Sequence, residues 1–226
     1  MKQVFESVPI NNPEVKRLLD NFLWMYEERD DIRKDVRQSS YNADADWFTG
    51  DKYRDHIVKL DGKHDGYPEE SRAWNLKPEQ FYEGPDIDRE RIANNFARYK
   101  ECTTEIQHYF MTRNCALCLL YPPNGFIGWH NNANASAFNL IFSWSETGDG
   151  TFKYLDADTG DTVDMPDVKG WQCKAGYFAS YDEPWCNRVY HAMKTNCWRV
   201  TVSFIFDRSD MSQGIHRDVI EEIMQK

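Results

Sequence analysis

The stretch Y-P-P-N-G-F-I-G-W-H-N-N-A-N, residues 121–134, joins two different kinds of sequence. Pro-Pro-Asn-Gly is turn chemistry, because proline fixes φ and Asn-Gly tolerates the left-handed region. The flanks, C-A-L-C-L-L-Y and F-I-G-W-H, are short and rich in β-forming residues. From Cys115 onward such segments recur: F-N-L-I-F-S-W, G-T-F-K-Y-L-D, W-Q-C-K-A-G-Y-F-A-S-Y, R-V-Y-H-A-M and W-R-V-T-V-S-F-I-F. G-D-G, D-T-G-D and similar turns separate them. Seven or eight strands of this kind predict a sandwich or small barrel of the jelly-roll class, over residues 115–207.

Upstream, the period changes. Residues 14–37 place apolar side chains at 15, 18, 19, 22, 23 and 26, one face of a helix, with Asn12 as cap and Pro13 in the first turn. Residues 38–85 are rich in turn residues, and only R-D-H-I-V-K-L (54–60) reads as a strand, with His56, Val58 and Leu60 on one face. Long irregular stretches in compact domains are often functional loops, so this region is expected to cover a pocket. From Asp86 to Asn114, Ile92, Phe96, Tyr99, Ile106 and Phe110 keep rough helical register, as one helix or as a helix followed by a strand. Ile215, Val219, Ile220 and Ile223 predict a terminal helix within 208–226. The expected whole is one domain over 1–226, with 1–114 as helical and irregular support or lid.

Composition narrows the function. With 226 residues, 41% hydrophobic and 15% aromatic, the chain can bury one substantial core. A net charge of −10 disfavours duplex nucleic acid and anionic membranes, which are held by clustered Lys and Arg. No run approaches the roughly 18 apolar residues of a membrane span, and the first ten residues lack a signal-peptide core, so a soluble, cytoplasmic protein is expected. Cys102, Cys115, Cys118, Cys173, Cys186 and Cys197 are read as structural thiols: Cys115-x-x-Cys118 has metal spacing, but no second pair completes a four-ligand set. His56 and His64 lack a partner motif, and His216 is read as structural.

Two histidines stand out, His130 after the turn and His191 in V-Y-H-A-M-K. Arg199 follows in an alternating strand that places Thr201 and Ser203 on its own side. Imidazole pairs suit iron, zinc, nickel or copper. The order of Tyr121, turn, His130-x-Asn132, glycine-rich hairpin, His191 and Arg199-x-Thr201 resembles the core of the Fe(II)- and 2-oxoglutarate-dependent oxygenases, particularly those similar to prolyl hydroxylases. The resemblance covers roughly residues 115–207. It implies a double-stranded β-helix, mainly β with flanking helices and cupin-like, and Fe(II) as metal with 2-oxoglutarate as co-substrate. It further implies His130 and His191 as metal ligands and Arg199 bound to the far carboxylate of 2-oxoglutarate, a task suited to a planar fork. Thr201 matches the residue paired with that arginine, and Tyr121 and Asn139 would hydrogen-bond the co-substrate. The implied reaction turns a substrate C–H bond into an alcohol, consuming O2 and releasing succinate and CO2.

One position departs from the family. Its H-x-D motif calls for a carboxylate where this chain has Asn132, and no Asp or Glu lies between Gly125 and Ser145. Four readings stay open: Asn132 ligates through its amide oxygen; it leaves a coordination position open, as in halogenating members; the domain is a binding module with a degenerate centre; or Asp182 or Glu183 supplies a carboxylate, Asp149 being more remote. The sequence does not specify the substrate: a free amino acid, a neutral or basic peptide, a free nucleotide or another small molecule fits equally, with O2 as second reactant. Trp129, Trp144, Trp171 and Trp185 are candidates for pocket walls or for core.

Overall fold

A computed structural model describes residues 5–28, 30, 33, 43–60, 65–75, 89–133, 135–179, 183–184 and 188–225. The strand W-R-V-T-V-S-F-I-F shows how the layers are ordered. As β11 (Arg199–Phe206) it sends Val200, Val202, Phe204 and Phe206 to one face and Arg199, Thr201 and Ser203 to the other, and all seven are buried. A strand alternates sides with every residue, so burial on both faces requires a layer on each side.

The first layer is helical. The even-numbered residues of β11 pack with Leu140 and Phe142 of β6 (Ala137–Ser145), Leu120 of β4 (Asn114–Tyr121) and Ala175 of β9 (Gly170–Phe178). Against them lie α1 (Pro13–Asp20), α2 (Trp24–Glu27), α5 (Arg89–Phe110) and α6 (Asp210–Met224). Phe110, Phe142 and Phe204 form a chain of ring contacts through this layer, the first pair stacked at 5.8 Å. Asn12 fastens its edges. Its Oδ1 caps α1 by accepting from Glu14 N and Val15 N, while its Nδ2 donates to Tyr109 Oη and Glu222 Oε1.

Eight core strands are then divided evenly between two antiparallel sheets, changing sheet at every step except from β7 to β8. β4, β6, β9 and β11 lie in a sheet of order β1-β9-β6-β11-β4-β3, with β1 (Glu6–Val8) and β3 (Trp74–Asn75) at its edges. β5 (Gly125–His130), β7 (Gly150–Leu155), β8 (Thr162–Pro166) and β10 (His191–Thr195) lie in the second, of order β2-β5-β10-β7-β8, where β2 is Ser71–Arg72. This strand order is a double-stranded β-helix, as expected. The turn at Pro122 carries the chain from one sheet to the other: Gly125 N donates to Pro122 O at 2.8 Å, and Asn124 takes φ +60°. A Cβ on Gly125 would stand 2.7 Å from that same oxygen, so the close turn excludes a side chain there.

Four readings of the sequence change. Residues 54–60 are not a strand but most of helix α4 (Asp51–Leu60), which follows the short α3 (Ala45–Phe48). Buried Tyr53 and Ile57, with Leu60 packed beside them, form an i, i+4, i+7 stripe against Trp129, Tyr190 and Ala192 on the outer face of the second sheet. The alternation within 54–60 hid that stripe because it omitted Tyr53. The helix expected over 14–37 is interrupted by a 3-10 turn at Asn21–Leu23. Phe22 stays in the core, and the tighter turn brings Trp24 and Met25 in beside it, leaving Leu23 and Tyr26, which a continuous helix would have placed there, only partly buried. Strand β8, T-V-D-M-P, went unrecognised because it is short, only partly buried and carries just two apolar residues in alternation before its proline, Val163 and Met165. Strands β1, β2 and β3 are only two or three residues long and carry no periodic signal. Residues 89–110 form one helix, which settles the alternative left open there.

No helix among the described residues is long and apolar enough to cross a membrane.

Candidate functional site

Between the two sheets lies a cavity of about 250 Å³. Its lining includes His130, Asn132, His191, Arg199, Tyr121, Thr201 and Asn139, so the fold brings together the seven residues that the resemblance assigned to metal and co-substrate. Ile127, Ile141, Phe152, Phe178 and Met193 supply apolar wall.

The two histidines come from neighbouring strands. His130 ends β5, His191 begins β10, and the two are register partners whose ring centroids lie 4.1 Å apart. The register slips between His191 and Met193, a bulge of the kind that re-aims a side chain at the end of a ladder. Each Nδ1 faces the carbonyl two residues earlier, His130 that of Gly128 at 2.8 Å and His191 that of Val189 at 3.0 Å. A carbonyl only accepts, so Nδ1 carries the proton and the lone pair sits on Nε2. That is the tautomer and the backbone support expected of metal-binding imidazoles. Burial, followed by the neighbouring His130, holds His191 well below the usual histidine range.

Asn132 follows where the chain leaves the strand. It takes φ +58° and Ala133 takes φ +54°. Asn is among the few side chains that tolerate this region, so its conformational preference is one physical reason for Asn at this position. The loop is pressed in place by Gly66, whose absent Cβ would lie 2.3 Å from Ala133 N, while Asn131 N donates to Gly66 O. Among the described residues no cluster of three His, Cys, Asp or Glu is arranged to hold a metal. The residues therefore fit a metal in part: two imidazoles with fixed tautomers and, beside them, a neutral amide. Glu183 is engaged elsewhere, accepting from Ser136 and from Tyr177 Oη, and does not line the cavity. Asp149 closes the hairpin by accepting from Asn196. Asp182 lies outside the described residues.

The second polar centre is Arg199, which is 1% exposed and lies in register with Tyr121 on one side and Ser145 on the other. The sequence reading missed its environment. Arg199 Nε donates to Asp167 Oδ2 at 2.7 Å, and Nη2 donates to Ser143 Oγ at 2.7 Å and, at 3.5 Å, to Asp167 Oδ1. Nη1 donates to Thr201 Oγ1. Lys174, also 1% exposed, donates to Asp167 Oδ1 at 3.0 Å. Burial alone would raise the Asp167 carboxyl, but Arg199 and Lys174 overcome it and hold it below the usual carboxylate range. The signal for this cluster was a lysine inside the buried strand W-Q-C-K-A-G-Y-F, because a buried ammonium needs a counter-ion. The Tyr121 ring lies 5.8 Å from the guanidinium, and burial raises its hydroxyl above the ordinary tyrosine value.

The other candidates have structural surroundings. Trp129 is buried under α4, Trp144 and Trp171 pack on the helical side, and Trp185 lies outside the described residues. Five cysteines are buried free thiols; Cys186 is not among the described residues. His56 is exposed on α4, and His64 is outside the described residues. His216 is buried on α6 between the rings of Phe138 and Phe206, donating from Nε2 to Asn139 O at 3.1 Å. Burial lowers it, opposed by that carbonyl bond.

His191 and His216 prefer the neutral form when folded, whereas in the unfolded chain they take a proton at about pH 6.5. Stability from this source is present above about pH 6.5 and is lost as the pH falls toward the depressed folded-state values. Thermal unfolding should therefore occur at lower temperature at pH 5.5 than at pH 7.5. The difference should shrink in His216→Gln, which keeps a donor and does not titrate; an unchanged difference would remove His216 from this account.

No family model matches the sequence, and no curated protein matches it. Solved structures similar to it include a prolyl-4-hydroxylase from Pseudomonas putida, at 14% identity over 68% of this chain and 83% of that one, with a TM-score of 0.32. The structure of OsALKBH1 is similar at 14% identity over 71% and 93%, with a TM-score of 0.30. A predicted oxalate decarboxylase from Thermotoga maritima is similar at 18% identity over 46% and 73%, with a TM-score of 0.27. The strand order itself, rather than these likenesses, defines the fold of this chain.

Proposed function

We propose that this protein is an Fe(II)- and 2-oxoglutarate-dependent dioxygenase acting on a small molecule, amino acid or peptide. The observation that carries the reading is the placement of a paired-histidine centre and a buried arginine in one cavity between the sheets. Iron and co-substrate, when bound, supply the activation of O2 and couple loss of CO2 from 2-oxoglutarate to oxygen insertion into a C–H bond.

The chain's own residues have distinct tasks. His130 and His191 would hold the metal through Nε2, their rings fixed by the Gly128 and Val189 carbonyls. Asn132 would supply its amide oxygen as the third protein donor. Arg199 would bind the far carboxylate of 2-oxoglutarate, with the hydroxyls of Tyr121 and Thr201 beside it and Asn139 further along the lining. Ile141, Phe152, Phe178 and Met193 keep water from the reacting centre, which strengthens every polar contact inside it. The same donor set supports a second reading, a non-catalytic module that binds a carboxylate through Arg199, because a neutral amide stands where a charged donor would hold iron more firmly.

Iron- and O2-dependent release of succinate from 2-oxoglutarate separates the two. The enzyme reading predicts succinate from the wild-type chain, and more of it at low iron from Asn132→Asp, whose added charge should tighten metal binding about tenfold, or about 1.4 kcal/mol. Binding of 2-oxoglutarate with no succinate at saturating iron would favour the module.

A further inference from the structure

Arg199 is already committed before any ligand arrives. Its guanidinium has five N–H donors. Among the described residues its four contacts, two to Asp167 and one each to Ser143 and Thr201, leave one Nη1 proton for a ligand. Asp167 does not itself line the cavity. It sits behind the arginine with a fully buried carboxylate and is gripped from the far side by Lys174. The fold makes room for it. A Cβ on Gly150 would stand 2.6 Å from Asp167 Oδ2, and Asp167 N donates to Gly150 O at 2.9 Å. The glycine of the G-D-G hairpin is thus needed for the space it leaves.

Resting on the reading above, we infer that Asp167, braced by Lys174 and seated against Gly150, is a positioning residue that fixes Arg199 for an incoming carboxylate. Edge-on pairing with Asp167 sets the plane of the guanidinium and keeps Nη1 beside Thr201. Thr201 Oγ1 accepts from Nη1 and retains its own proton to donate, and the Tyr121 hydroxyl lines the same space. Arg199, Thr201 and Tyr121 all line the one cavity, and together they offer a carboxylate group three donors. Arg199, Lys174 and Asp167 together carry a single net positive charge, so a carboxylate monoanion neutralises the cluster, whereas a phosphate dianion would leave a buried negative charge. The site therefore selects a carboxylate end group.

Charge and positioning make opposite predictions for Asp167→Asn, which raises the cluster's net charge without changing its shape. Binding of 2-oxoglutarate to the Mn(II)-loaded protein can be measured by calorimetry, with Mn(II) affinity measured separately. Positioning predicts that Asp167→Asn weakens 2-oxoglutarate about tenfold, or about 1.4 kcal/mol, and leaves Mn(II) affinity unchanged. The double variant Asp167→Asn with Lys174→Met restores the net charge and should remain weak. Gly150→Ala, which keeps every charge and displaces the carboxylate, should weaken binding in the same way and keeps the test decisive if Asp167→Asn folds poorly. Equal or tighter binding by Asp167→Asn, or full recovery in the double variant, would overturn the positioning role. Failure of the wild-type protein to bind 2-oxoglutarate at all would overturn the functional reading itself.

Discussion

His191→Ala should bind Mn(II) or Fe(II) at least about 100-fold more weakly than the wild-type chain, the upper range for disturbing a metal centre through its supporting shell alone. The loss is expected to be large because the centre has little in reserve. Asn132 is neutral, and no cluster of three His, Cys, Asp or Glu stands ready among the described residues. Removing one imidazole leaves one strong donor. A packing explanation is separable from this one. His191 contacts the rings of Phe178 and Phe152, with centroids 4.5 and 5.8 Å away, so truncation also opens a hole and lowers stability. His191→Leu fills more of that hole and should recover stability without recovering metal. Titration followed by the spin signal of free Mn(II) reads the difference; unchanged affinity in either variant would make the pair a packing feature.

Arg199→Met should destabilise the fold by about 3–5 kcal/mol, because it leaves the buried Asp167 carboxylate with only one of its two cations. It also strands the Ser143 and Thr201 hydroxyls that the guanidinium engages. Arg199→Lys is the informative companion. An ammonium can keep the ion pair with Asp167, but it lacks the fork that reaches Ser143 and Thr201 together. Urea denaturation should therefore show a smaller loss for lysine than for methionine, while 2-oxoglutarate binding is weakened in both. Equal stability of Arg199→Met and the wild type would contradict the buried cluster.

Much of this architecture was legible because burial on both faces leaves a strong pattern. The alternation R-V-T-V-S-F-I-F gave β11, and the Pro-Pro-Asn-Gly turn gave the step from β4 to β5. The residues around the cavity were legible as an ordered series, since Tyr121, His130, His191 and Arg199 are each tied to a strand end. Elements whose stability comes from elsewhere in the molecule were not. Helix α4 is specified by what Tyr53 and Ile57 touch across the sheet, and β8 by pairing with β7. Asp167 was illegible for a related reason: it lies in a turn, and only the fold shows that Arg199 and Lys174 close on it from two different strands. The 3-10 turn at Asn21–Leu23 is a matter of phase, in which local propensity gave way to packing against the sheet.

The most direct test of the central claim is an anaerobic titration of the Fe(II)-loaded protein with 2-oxoglutarate, followed in the visible range. A weak metal-to-ligand charge-transfer band should grow with 2-oxoglutarate in the wild-type chain, strengthen in Asn132→Asp at equal iron, and be absent in His191→Ala. No band in the wild-type protein at saturating iron and 2-oxoglutarate would contradict the account.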